Sequence, residues 1–200
     1  VPWKRIGCAL ALVALIATAL GIRHVWWSMG ESKRHLGCMN NLSQLAQMHR
    51  AHAGKSPADA SRYGGPAMWL ALRKDDATVR PDDERLFFCE DDDEADVPKT
   101  PDERRRWNDV DLDHVPRACC SYAGRDFARF PVSADPRHAP EPIGACVRHR
   151  EGAMVAFDDG DVRFVGLAAL GVASEDEMIV GPESKSPVLR VLRYDDGSVR

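Results

Sequence analysis

The sequence predicts an α+β chain, in which a long N-terminal α-helix, membrane-spanning over its first half, packs on a small antiparallel β-sheet head. Three observations carry this expectation. Ile6 to Ile22 is an apolar run without a charge, apolar residues recur at helical intervals from Glu31 to Ala53, and Asp159-Gly160 separates two apolar runs. The 200 residues suffice for one globular head with an appendage, and 44% apolar content supplies its core. A net charge of −4, with 29% charged residues and no Lys/Arg-rich arm, argues against nucleic acid as a partner.

The run from Ile6 to Ile22 lies between Lys4-Arg5 and Arg23-His24-Val25-Trp26-Trp27. At roughly 1.5 Å per residue it covers about 25 Å, against about 30 Å of bilayer core. Snorkelling Arg5 and Arg23, with the Trp pair at the interface, would close that gap. Residues 1–30 therefore read as a transmembrane anchor with its juxtamembrane segment, and residues 31–200 as an extracytoplasmic head on a single-pass protein of the cell membrane. The alternative is a signal peptide with Ala17-Thr18-Ala19 as its cleavage site, which would release a secreted head.

Within the head, Leu36, Met39, Leu42, Leu45, Ala46, Met48 and Ala53 define one face of a helix over 31–53, with Gly54 placed to end it. Pro66 to Arg73 is a short helix candidate, and Thr100-Pro101-Asp102-Glu103 is a capping box opening a helix that reaches Trp107. Ala118–Ala123, Ile143–His149 and Val188–Tyr194 read as strands, and Ser174-Glu175-Asp176-Glu177 as a helix start. Pro131, Pro136, Pro140 and Pro142 make the intervening segment a loop, because proline cannot donate to a strand ladder. Asp159-Gly160 predicts a hairpin over 152–166 with a type I′ turn. The later Asp195-Asp196-Gly197 echoes Asp158-Asp159-Gly160 and reads as reused turn chemistry rather than a repeat.

Few groups promise chemistry. His149 and Asp159 read as residues that order a strand entrance and a turn, since nothing supplies the third group of a nucleophilic site. His49 and His52 lack the Glu of a zinc-protease helix. Glu90 to Asp96 is a carboxylate-rich loop without the central Gly of an EF-hand, leaving Asp91, Asp92 and Asp93 as Ca²⁺ candidates and no other cofactor expected. Cys38, Cys89, Cys119, Cys120 and Cys146 are disulfide candidates for an oxidising compartment, and their odd number leaves one thiol over. No phosphate-cradling loop, dinucleotide fingerprint or nucleophile elbow is present, so no catalytic site is expected.

Four landmarks carry a resemblance. They are Cys38-x-Asn40-Asn41-Leu42-x-x-Leu45, then Leu86-Phe87-Phe88-Cys89 before an acidic loop, then Ser121-Tyr122, then His149 with Gly152-Ala153 and, after nine intervening residues, Asp159-Gly160. In this order they resemble the prepilin-type His-x9-Asp-Gly proteins, a pseudopilin-like family. The resemblance implies a pilin-like fold in which Cys38, Asn41, Leu42, His149, Gly152, Asp159 and Gly160 are structural motif residues. It further implies a membrane-anchored, non-enzymatic envelope protein acting in assembly or presentation. Its partners would be the membrane and other pilin-like or secretion-system subunits, as in type II secretion or a pilus-like fibre. The alternative is a tethered extracytoplasmic module that binds a cation or a glycan.

Overall fold

The structure, a computed structural model, describes residues 2–74, 83–133, 135 and 137–194, with backbone alone for 2–14, 24–28, 31 and 59. The echo at Asp195-Asp196-Gly197 lies outside the described residues. The chain divides into two units, 1–36 and 37–200. Helix α1 (Pro2–Lys55) begins in the first and ends in the second, with His52 and Lys55 in its last turn, where cations oppose the negative end of the helix dipole.

One expectation is overturned for the first unit. Among the described residues, no helix is long and apolar enough to cross a membrane. The membrane-spanning first half of the helix, the transmembrane keyword and the single-pass localisation with an extracytoplasmic head are therefore corrected. The physical reason is length: the charge-free run stops at Arg23, short of the roughly 20 apolar residues that a span requires, and Ser28, Glu31, Ser32, Lys33 and Arg34 follow.

The second unit is α+β, as expected. Short helices α2 (Pro57–Ala60), α3 (Pro66–Ala71), α4 (Pro101–Asn108), α5 (Leu167–Leu170) and α6 (Pro187–Arg190) surround one sheet. The strands β1 (Ala123–Arg125), β2 (Pro142–His149), β3 (Gly152–Phe157), β4 (Val162–Gly166) and β5 (Leu192–Arg193) lie in the order β4-β3-β2-β1-β5, antiparallel throughout. One sheet face, carrying Cys146, Met154 and Ala156, packs against Cys38, Leu42, Leu45 and Ala46 of α1. The other, with Ala123, Ala145, Ala153 and Val155, is covered by Leu170, Val172, Met178 and Leu189 from the C-terminal segments. Trp69 fixes α3 to the sheet by donating from its indole to the Ala123 carbonyl at 3.0 Å, directly over Gly144.

Helix α4 starts on the predicted capping box, with Glu103 N–H donating to Thr100 Oγ1 and Thr100 N–H donating back to Glu103 Oε2. Two strand expectations change. Of residues 118–123 only Ala123 is strand, the first residue of β1, and the segment begins in a 3-10 turn (Arg117–Cys119), because Trp107 and Arg117 side chains take the Cys119 and Cys120 carbonyls that a ladder would need. Residues 188–194 begin as α6, since Pro187 presets the first helical position, and only Leu192–Arg193 pair as strand. The segment leading to Cys89 begins as a 3-10 turn (Asp83–Phe87).

The hairpin between β3 and β4 is present, but its turn is not type I′. No described non-glycine residue has positive φ, and within this turn only Gly160 takes the left-handed region, at 84°. Gly160 N–H donates to the Phe157 carbonyl and Phe157 N–H to the Asp161 carbonyl, both at 2.9 Å. An ordinary turn followed by one left-handed Gly spares Asp159 the strained conformation and matches the three-residue hairpin class.

Candidate functional site

Four chemistry-bearing residues of the second unit converge on one buried point. Cys38 comes from α1, Cys89 from the loop after the Asp83–Phe87 turn, and Cys146 and His149 from β2. All four are buried, and their three sulfurs and one ring nitrogen lie within 4.8 Å of one another. The Cys89 sulfur is 3.9 Å from His149 Nε2, and His149 Nδ1 is 3.2 Å from Asp91 Oδ2.

Local structure explains the convergence. Residues three apart on a regular strand face opposite ways, yet the β2–β3 register slips by one residue between Cys146 and His149, which returns both to the α1 side. Asn41, one turn along α1 from Cys38, donates to the carbonyls of Arg85 (3.2 Å) and Phe88 (3.3 Å) and so holds the segment leading into Cys89. Tyr122 donates to the same Phe88 carbonyl at 3.1 Å. Leu42 is fully buried beside them. Gly152 pairs with His149 across the turn, where a Cβ would meet the Val165 carbonyl oxygen at 2.3 Å.

The three thiols share their protons unequally. Hydrogen bonds from Cys146 and Cys38, with a further one from His149, hold Cys89 far below the ordinary thiol range. Burial drives Cys146 well above that range. For Cys38, the hydrogen bond with Cys146 pulls down, but the bond with Cys89 and burial outweigh it and push the thiol up.

The disulfide expectation is corrected: Cys38, Cys89, Cys119, Cys120 and Cys146 are all free thiols. Three of them meet a histidine rather than pairing in twos. Cys119 and Cys120 stay outside that group, on a turn whose burial raises both thiols, Cys120 to about 12.

The other sequence candidates are dispersed. Asp159 sits at the β3–β4 turn, whereas His149 faces Gly152 at the opposite end of β3, so the motif's His and Asp do not meet. Asp159 lies instead beside Arg163, and its carbonyl accepts from Arg50 of α1. The acidic loop divides among cationic neighbours: Asp92, buried, pairs with Arg117 at 3.0 Å and Arg148 at 3.2 Å, Asp91 faces His149, and Asp93 is exposed. His49 is a core residue, stacked on Phe127, and burial lowers its pKa.

Two further features stand apart from the cluster. A groove of about 600 Å³ is lined by residues that include His49, Phe127, His138, Asp158 and Arg193. In the first unit, Leu15, Ile22, Met29 and Leu36 of α1 are 69%, 54%, 53% and 59% exposed, at intervals of seven residues. Sequence reading singled out Cys38, Cys89, Cys146 and His149 separately. It did not group them, because they come from three distant segments without a zinc-type Cys pair; Cys146-x-x-His149 was the available signal. No family model, no curated protein and no solved structure matches the chain.

Proposed function

We propose that this chain is a non-enzymatic assembly protein whose N-terminal helix packs along the same helix of a second copy. The carrying observation is the exposed heptad of Leu15, Ile22, Met29 and Leu36, with Ile16 and Leu20 widening its upper part. A seven-residue apolar repeat on an α-helix drifts by about 20° per heptad, and two such helices coil left-handed to keep the seam buried. Burying a large aliphatic side chain contributes roughly 1.5–3 kcal/mol, and four seam positions on each helix set that gain against the entropy cost of association. The ordered landmarks from Cys38 to Gly160 support the same reading, an assembly or presentation role of pilin-like kind, within a type II secretion or pilus-like system.

Sedimentation of the full chain tests this. Association of the unaltered protein, abolished by Ile22→Glu and Met29→Glu with the fold of the head retained, is the expected result. A protein that sediments as a monomer at every accessible concentration would remove the proposal.

A further inference from the structure

We propose that Cys38, Cys89, Cys146 and His149 are the four ligands of one structural zinc ion, with Asp91 orienting the histidine from behind. This goes beyond the assembly reading and does not depend on it. Isolated buried cysteines behave as small apolar residues, and one thiol in a core needs no explanation. Three thiols from three separate segments, converging on an imidazole in a dry interior, are a different arrangement. A tetrahedral Cys3His zinc site has metal–sulfur bonds of about 2.3 Å and metal–nitrogen bonds of about 2.0 Å, so its ligand atoms stand roughly 3.5–3.8 Å apart. The 3.9 Å between Cys89 Sγ and His149 Nε2 is within a few tenths of that edge, and the 4.8 Å limit on the whole set requires only side-chain adjustment.

The surroundings fit a metal ligand set. A zinc-bound histidine ordinarily donates its second ring N–H to a carboxylate or carbonyl, which fixes the tautomer. With Nε2 on the cluster side, Nδ1 stands 3.2 Å from Asp91 Oδ2. Soft thiolate donors with one imidazole select zinc over the hard cations that the neighbouring carboxylates would take. All four protein positions are filled and buried, which makes the site structural, a clasp joining α1, the Cys89 loop and the sheet.

Metal analysis of the full chain, purified without a metal-binding tag and under reducing conditions, tests the assignment. About one zinc ion per chain is expected. Replacement by Co²⁺ should produce the visible bands of a tetrahedral thiolate site, and chelation should lower the melting temperature. Cys146→Ser should lose the ion, while Cys119→Ser, outside the cluster, should retain it. Asp91→Asn preserves all four ligands and the fold, and should weaken zinc in chelator competition by roughly tenfold to a hundredfold. A reduced, cooperatively melting protein that takes up neither Zn²⁺ nor Co²⁺ overturns the proposal, as would an iron–sulfur chromophore or uptake indifferent to Cys146→Ser.

Discussion

Cys146 and His149 stand three positions apart on one strand and face the same side of the sheet, because the β2–β3 register slips by one residue between them. That slip brings the histidine into a group with Cys38 and Cys89. The thiols and imidazole owe their meeting to a backbone irregularity, and the residues that hold the neighbouring loops in place become as consequential as the four themselves.

Asn41 is one of those residues, since its amide serves two carbonyls in the segment that ends at Cys89. Asn41→Ala should destabilise the protein by roughly 1–2 kcal/mol. Asn41→Asp should cost more, because a carboxylate would face two carbonyl oxygens with no donor. Urea denaturation gives both values, and hydrogen exchange should show faster opening of residues 83–89. Equal stability of the two variants would contradict the geometry.

Gly144 lies under Trp69, where a Cβ would come within 2.2 Å of the indole Cζ2 and 2.8 Å of the Ala123 carbonyl oxygen. Gly144→Ala should therefore displace the ring and break its bond to Ala123. A loss of about 1–3 kcal/mol or more is expected from such overpacking. A red-shifted tryptophan emission alongside a lower melting temperature would register both effects, and an unchanged melt would refute the packing.

His138 joins the Asp135 carbonyl to Asp158 Oδ2, the latter at 2.6 Å, and these two bonds, the backbone one first, raise its pKa above the usual 6.5. A raised folded-state pKa means that the protonated ring stabilises the fold. That contribution is complete below about pH 6.5 and disappears as pH rises through the folded value. The stability gap between the unaltered protein and His138→Gln should be widest in mild acid and should close in mild alkali. A gap independent of pH would contradict this.

The five thiols from Cys38 to Cys146 should all be recovered reduced when the protein is unfolded without reductant in the presence of an alkylating agent. In the folded protein, half-buried Cys119 should label fastest and the buried cluster slowest. Peptide mapping decides, and a pair of peptides joined through Cys38, Cys89 or Cys146 would be the contrary result.

Much of this was legible without coordinates, and for physical reasons. The capping box at Thr100 and Glu103, the helix face from Cys38 to Met48 and the alternation around Gly160 are local patterns, set by backbone sterics and by which side chains avoid water. The membrane span is overturned because a charge-free run that ends at Arg23 is too short, and the snorkelling flanks invoked to close the gap do not lengthen it. Local reading failed where carbonyls have remote partners. Trp107 and Arg117 took the backbone groups of a predicted strand, and Asn41 holds two carbonyls of the segment before Cys89.

The sequence by itself determined the class of the head, a helix face on antiparallel strands, because periodicity and turn chemistry act over neighbouring residues. Only the tertiary structure decided which of its cysteines meet. Cys38, Cys89 and Cys146 are separated by more than fifty residues at each step, and no local rule links them. Burial of one helix face on one sheet face, with a one-residue slip in β2, brings their sulfurs and the His149 ring to a single point.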